Sequence, residues 1–202
     1  MAHPKTEQSL VIIKPDGVQR SLIGEVIQRY ERIGFKLVGL KLVVPTAEQA
    51  KNHYMIGGEE WLEEVGRKAA AAYEKKGLKS PFATPRENGV AILNANTKYL
   101  ASGPVVAMVW QGAHVVEVVR KLTGGTEPRT SDIGSIRGDF VHDSYQLADA
   151  DARSIRNLLH ASGTADEAQK EIPIWFAKNE LFNYRLINEE ILYDVNLDGI
   201  LE

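Results

Sequence analysis

Three short apolar runs constrain this chain most: SLVIIK at 9–14, FKLVGLKLVVP at 35–45 and PVVAMVW at 104–110. Each has the length and the Val and Leu enrichment of a β-strand. Between the first two, LIGEVIQRYERIGF at 22–35 places Ile23, Ile27, Tyr30 and Ile33 at helical spacing, with Gly34 as its C-cap. The Pro and Gly of PDGV at 15–18 predict a turn before that helix. Thr46 is suited to cap a short helix that ends on His53 and Tyr54. This alternation, over 202 residues with no internal repeat, predicts one domain. Its expected class is an α/β (α+β) sandwich, with helices covering one or both faces of a mostly antiparallel sheet.

Residues 56–86 change character. Gly57-Gly58 opens the stretch, and EEWLEEVGRKAAAAYEKKG supplies a charged, Ala-rich helical pattern with Trp61, Leu62, Val65 and Tyr73 as its apolar contacts. LKSPFATPREN at 78–88 closes it with two prolines, which is the pattern of an inserted helical hairpin or lid. VAILNANTKYLA at 90–101 predicts a helix ending at Ser102-Gly103. HVVEVVRKLTG predicts another, with Val115, Val118, Val119 and Leu122 inward and Arg120 free to face a different surface. GGTEPRTSDIGSIRGDF at 124–140 is a glycine-punctuated loop of a length that usually carries function. A second polar stretch leads to NLLH at 157–160, which reads as a strand end. Thr164 and Glu167 predict a capping box for a helix that stops at Pro173 or kinks through it. The tail at about 180–202 carries hydrophobic residues that must dock.

Composition narrows the chemistry. The chain has no cysteine, which excludes disulfides and thiolate sites. A formal charge of -3 disfavours a dedicated nucleic-acid binder, so no stable nucleic-acid partner is expected and a small polyanion fits better. The opening MAHPKTEQS lacks the apolar core of a secretory signal, and PVVAMVW falls far short of the roughly 20 residues that span a bilayer. A cytoplasmic location without membrane association is the expectation. There is no GxxxxGK[ST] and no GxGxxG opening a helix. The five histidines show no HxxxH or HExxH spacing, so no protein-held metal is expected.

What remains is a set of cations, Lys14, Arg120, Arg137 and Arg156, that could converge on a phosphate. Each alone fits an ordinary surface or salt-bridging residue equally well. His160, in SIRNLLHASGT at 154–164, is the sharper candidate. A neutral imidazole is a nucleophile for phosphoryl groups or protons when its second nitrogen is held by an acceptor. Ser162 and Glu171 are candidates for that orienting role. Residue chemistry leaves both readings open, a satisfied structural histidine and a reactive one.

Several blocks in order carry a family likeness: VIIKPDGVQRSLIGEVIQRYERIGFKLVGLKLV at 11–43, SGPVVAMVWQG at 102–112, VRKLTGGTEP at 119–128, GSIRGDF at 134–140 and RNLLHAS at 156–162. They resemble the blocks of nucleoside diphosphate kinases over nearly the whole chain outside 56–86 and the tail. The resemblance implies a ferredoxin-like core with a four-stranded antiparallel sheet covered by helices. It implies a two-step exchange in which His160 takes the γ-phosphoryl group of a nucleoside triphosphate and passes it to a nucleoside diphosphate. Lys14, Arg120, Arg137 and Thr126 would then bind phosphate, Asn157 the sugar, and Tyr54 would stand beside the centre. Ser162 and Glu171 would be the histidine's neighbour and its orienting carboxylate. The implied substrates are ATP, GTP, ADP and GDP with a broad base preference, Mg²⁺ held by the nucleotide's phosphates, and a homo-hexamer or tetramer. Dependence on a neutral imidazole implies activity that falls at acid pH.

The chain departs from the family pattern at Gly163, where an aspartate is usual, and at Ile155, where a glycine is usual. Residues 56–86 enlarge the hairpin that grips the base, and Phe82 or Trp61 would have to replace the usual stacking phenylalanine. These departures motivate an alternative, a nucleotide-binding regulatory module of the same fold without efficient phosphotransfer. A metal-dependent nuclease is disfavoured by the missing carboxylate cluster.

Overall fold

The computed structural model describes residues 4–75, 77 and 79–193; His3 and the last part of the 180–202 tail lie outside them. The three apolar runs form strands β1 (Gln8–Ile13), β2 (Lys36–Val43) and β3 (Val105–Gln111), and the NLLH segment supplies β4 (Leu159–Ala161). They assemble in the order β2-β3-β1-β4, every pairing antiparallel. This is the expected α+β sandwich with a ferredoxin-like core. Consecutive residues Leu10–Ile13 and Val105–Trp110 are all buried. Because side chains alternate between faces, both faces of the two central strands are covered.

The helices are α1 (Pro15–Gln19), α2 (Ile23–Glu31), α3 (Ala47–Tyr54), α4 (Gly58–Lys75), α5 (Pro85–Leu100), α6 (Val115–Thr123), α7 (Ile136–Phe140), α8 (Tyr145–Ala150), α9 (Ala165–Trp175) and α10 (Glu189–Tyr193). PDGV is not a plain turn. It is the first turn of α1, because Pro15 presets the backbone at a position where no N–H is needed. Gly34 ends the α2 turn at φ +93°, as its C-cap reading requires. The side chain of Thr46 accepts from Gln49 N and caps α3. On α6 the fully buried residues are Val115, Val116, Val119 and Thr123, while Val118 and Leu122 pack only partly against the core.

The 56–86 stretch forms α4 and the turn into α5, and the two helices pack as a hairpin. Helix α5 starts five residues before the expected VAILNANTKYLA segment. The sequence Thr84-Pro85-Arg86-Glu87 makes a full capping box with proline in the first turn. Gly66 and Gly89 let the helices approach closely: a Cβ at Gly66 would stand 1.8 Å from Pro85 O, and one at Gly89 2.1 Å from Leu62 O. Arg86 ties the arms together through Glu59 at 2.8 Å.

The capping box expected for α9 forms by half. The Thr164 side chain accepts from Glu167 N, but the Glu167 carboxylate turns to the Gly163 N–H at 2.8 Å. The helix runs through Pro173 and ends at Trp175.

Close backbone approach sets the first expected outcome. Gly89→Ala forces a methyl into Leu62 O and lowers stability by about 1–3 kcal/mol, read as a lower urea midpoint. Gly24→Ala, where a Cβ meets nothing within 4 Å, leaves the midpoint nearly unchanged.

Candidate active site

Strand β4 is three residues long and pairs on one side only. Lys14 N donates to Leu158 O, and Ser162 N to Leu10 O. The carbonyls of Leu159 and Ala161 therefore face the open edge. Two arginines close that edge: Arg137 Nη2 donates to Leu159 O at 2.6 Å, and Arg120 Nη1 reaches Ala161 O at 3.5 Å. His160 sits between these two carbonyls, opposite Ile12 of β1. Leu158, two residues earlier, holds φ +69° without being glycine, so the turn into the strand is strained where the cations meet it.

His160 Nε2 is buried and lies 2.8 Å from Glu171 Oε1, with the carboxylate off the N–H direction. Glu171, on α9, is itself only 4% exposed, and its other oxygen accepts from Ser162 Oγ at 2.6 Å. Ser162 thus holds the carboxylate and not the imidazole. Its hydroxyl also accepts from Leu10 N, which anchors the arrangement to β1. With Nε2 sealed and the His160 side chain 21% exposed, Nδ1 is the nitrogen left for a substrate.

A second imidazole completes the wall. His53, at the end of α3, is buried, and its ring meets that of His160 edge to face with centroids 4.3 Å apart. Trp175 Nε1 donates to His53 Nδ1 at 3.4 Å. Burial, with help from His160 and Lys14, holds the His53 pKa well below the usual histidine value, so this ring is neutral. Tyr54 packs on His53 and stacks on Trp61 at 6.5 Å; burial, then the Glu171 charge, pushes its phenol pKa up. Phe82 is exposed and has no ring partner among the described residues.

The cations are placed by hydrogen bonds within the chain. Lys14 Nζ donates to Asn157 Oδ1 at 2.7 Å, and Asn157 Nδ2 donates to Thr126 O at 3.1 Å. Burial, followed by Arg137, lowers the lysine pKa to about 7. Arg137 is a brace first. Its Nε donates to Asn157 O, its Nη1 to Gly124 O and Gly125 O at 3.0 Å each, and its Nη2 to Leu159 O. Four of its five N–H groups are thus committed, and burial lowers its pKa to about 10. Arg120 is exposed, as is Thr126. Arg156 lies over the Tyr99 ring at 4.0 Å, and Tyr99 donates its hydroxyl to Asp16, which also accepts from Leu158 N. Lys14, Asn157 and Arg137 form one connected set, His160, Glu171 and Ser162 another, and the two meet at β4 where Arg137 holds Leu159 O. Tyr54 joins the His160 set through His53, and Arg120 through the edge of β4.

Sequence reasoning placed His53 at the end of α3 but missed its contact with His160, and it missed the roles of Trp175 and of the Asp143–Arg153 pair. Trp175 had a signal, since it follows Glu171 by one helical turn. The contact of His53 with His160 had none, since about half of the chain separates the two residues. Asp143 binds Arg153 through both oxygens, at 2.7 and 3.0 Å, and accepts from Arg156 N, which folds the polar stretch around α8 and delivers Asn157. The two departures also gain reasons. A Cβ at Gly163 would lie 2.4 Å from Glu167 Oε2, so the carboxylate there arrives from the next helix. Ile155 has no positive φ, so its position does not require glycine.

Among the described residues, His53, His160 and Glu171 are the imidazole and carboxylate groups near enough to share a metal, with one ligand atom each inside 4.8 Å. The set offers two imidazole nitrogens and one carboxylate, whereas Mg²⁺ prefers an octahedron of oxygens. It does not fit Mg²⁺.

The brace generates a direct test. Arg137→Lys keeps the charge but cannot satisfy four carbonyls, and it lowers stability by at least about 2 kcal/mol, measured by urea unfolding; Lys121→Arg on the exposed side of α6 has no such effect.

With this geometry in place, comparison with known proteins is decisive. The family model for "Nucleoside diphosphate kinase" matches residues 7–61 and 73–181. A nucleoside diphosphate kinase of Pyrobaculum aerophilum is 42% identical over 179 residues, spanning 87% of this chain and 97% of the relative. The solved structure of an NDP kinase from the same organism superposes with a TM-score of 0.85 at 40% identity, over 88% of this chain and 100% of that one. The Borrelia burgdorferi enzyme, solved as a transition-state mimic with bound vanadate and ADP, gives 0.75 at 35% identity, over 94% and 98%. One from Halobacterium salinarum in complex with CDP gives 0.66 at 31%, over 94% and 99%. The chain belongs to the nucleoside diphosphate kinase family.

Proposed function

We propose that this chain moves the γ-phosphoryl group between nucleoside triphosphates and diphosphates through a phosphorylated His160. The observation that carries the mechanism is the pairing of His160 Nε2 with a buried carboxylate. Glu171 holds the ring in the tautomer protonated at Nε2, so the Nδ1 lone pair is directed at substrate. Nδ1 attacks the γ-phosphorus in line, and the bond to the bridging oxygen breaks. The diphosphate departs with that electron pair, and the Nε2 proton stays against Glu171. A second diphosphate reverses the step. Phosphoryl transfer needs positioning and charge stabilisation more than covalent help. Lys14, the exposed Arg120 and the last free N–H of Arg137 supply these, while Mg²⁺ arrives on the nucleotide phosphates.

Stacking of Trp61 on Tyr54 at the mouth of the α4–α5 hairpin supports Trp61 as the base platform, and a π-face reads all bases alike. The substrates are then ATP, GTP, ADP and GDP. We read residues 1–202 as one domain with the 56–86 hairpin inserted and the tail from about 180 added. The exposed edge residues Leu40 and Leu42 and the 96% exposed Ile133 support assembly into a homo-hexamer, or otherwise a tetramer. A cytoplasmic site of action fits a substrate pool of free nucleotides.

Brief incubation with γ-labelled ATP and Mg²⁺ leaves an acid-labile, base-stable label on the protein, and subsequent GDP removes it. His160→Asn abolishes both, whereas Glu171→Gln keeps labelling but slows it on the order of a hundredfold. Label that persists in His160→Asn sinks the mechanism.

Lys14 gives a pH signature. Its pKa is lowered in the folded protein, so its charge is unfavourable below about 7 and folding stability rises between there and the ordinary lysine value of 10.5. A bound polyphosphate restores the charge. Calorimetry in buffers of different ionisation enthalpy shows extra proton uptake on ADP binding at about pH 8; the excess over Lys14→Met vanishes at about pH 6, where the lysine is already protonated.

A further inference from the structure

His53 is 2% exposed, stands one residue from the pocket tyrosine, and has no part in the transfer step itself. A buried imidazole is nonetheless an expensive filler. The indole of Trp175 can only donate, so His53 Nδ1 must accept, and its proton therefore resides on Nε2. That Nε2 is fully buried and has no hydrogen-bond partner. A phenylalanine or leucine in the same space would carry no such unsatisfied donor.

What His53 touches is His160. The two rings meet at 87° with centroids 4.3 Å apart, and Trp175 closes the far side of His53 at 5.7 Å. Glu171 faces both imidazoles, at 2.8 Å from His160 Nε2 and 3.9 Å from His53 Nδ1. An imidazole has two nitrogens of similar intrinsic nucleophilicity, and one carboxylate contact does not by itself prevent the ring from turning. The carboxylate lies off the Nε2 N–H direction, so that contact alone is a loose restraint. A rigid ring packed against His160, backed by an indole, denies it the volume it would need to bring Nε2 toward substrate.

We propose that His53 is a positioning residue that selects Nδ1 of His160 as the phosphoryl acceptor, by walling in the imidazole so that Nε2 cannot reach the nucleotide. The inference rests on His160 being the phosphocarrier. In the allowed step the Nδ1–P bond forms as the γ-phosphorus–oxygen bond breaks. In the excluded step the ring would first give up its contact with Glu171 and then attack through Nε2, with the proton moved to Nδ1.

The readout is the isomer of phosphohistidine, which a purely structural role would not alter. Full-length protein is phosphorylated with Mg-ATP and denatured in base, and its Nδ1 and Nε2 phosphohistidines are quantified by ³¹P NMR or isomer-specific antibodies. The parent carries the Nδ1 isomer. His53→Ala raises the ratio of Nε2 to Nδ1 label roughly tenfold, as expected when an aromatic contact of ordinary strength is lost. His53→Asn, which keeps an acceptor for the indole but removes the ring, shifts it in the same direction and serves if the alanine variant does not fold. His53→Phe, which restores a ring, returns the ratio to that of the parent. An unchanged isomer ratio in labelled His53→Ala and His53→Asn, however slow their turnover, overturns the proposal. A parent protein that takes no label on His160 overturns the mechanism beneath it instead.

Discussion

The buried carboxylate of Glu171 is the constraint on which the rest of the centre depends. A charge 4% exposed is unfavourable unless it is met by hydrogen bonds and a compensating field. Here Ser162 supplies a hydroxyl hydrogen bond to one oxygen, and His160 Nε2 stands 2.8 Å from the other. Satisfying that one group joins α9 to β4, and through Ser162 to β1. The orientation of the His160 imidazole is therefore part of the same network that packs the helix on the sheet. Site geometry and fold stability are not separable at this point.

The cations show a related economy. Arg137 reads from sequence as a phosphate ligand, but most of its donors hold the carbonyls of the 124–125 loop, Asn157 and Leu159. Lys14 is bound to Asn157, which is bound in turn to Thr126 O. Such residues are fixed before substrate arrives, so little reorganisation is required when charge develops on the transferring group. Arg120, exposed and held by one long contact, is the adaptable member.

Legibility followed the range of the interaction. Strands β1 to β3, the ends of α2 and the cap of α3 depend on neighbouring residues, and patterning exposed them. The helical start of PDGV and the Thr84 capping box are equally local, but proline and glycine signal a turn as readily as the first turn of a helix. The half-formed box at Thr164 had a different cause: Gly163 offers an N–H with room beside it, and Glu167 takes that in preference to the N-cap amide. The contacts that Ser162 and Arg137 make within the chain could not be read in one dimension, because both depend on which atoms of distant segments lie within about 3 Å.

The sequence by itself determined the strands, the helices around 23–31, 47–54, 58–75 and 115–123, the hairpin in 56–86, the family and the candidacy of His160. These rest on periodicity, capping and motif order, all properties of contiguous residues. Only the tertiary structure decided which nitrogen of His160 is free, that Ser162 serves the carboxylate, that Arg137 braces backbone, and that His53 stands against the His160 ring. Each of these is a direction or a distance between segments far apart in the chain, created when α3 and α9 close over β4, and spacing along the sequence carries no record of it.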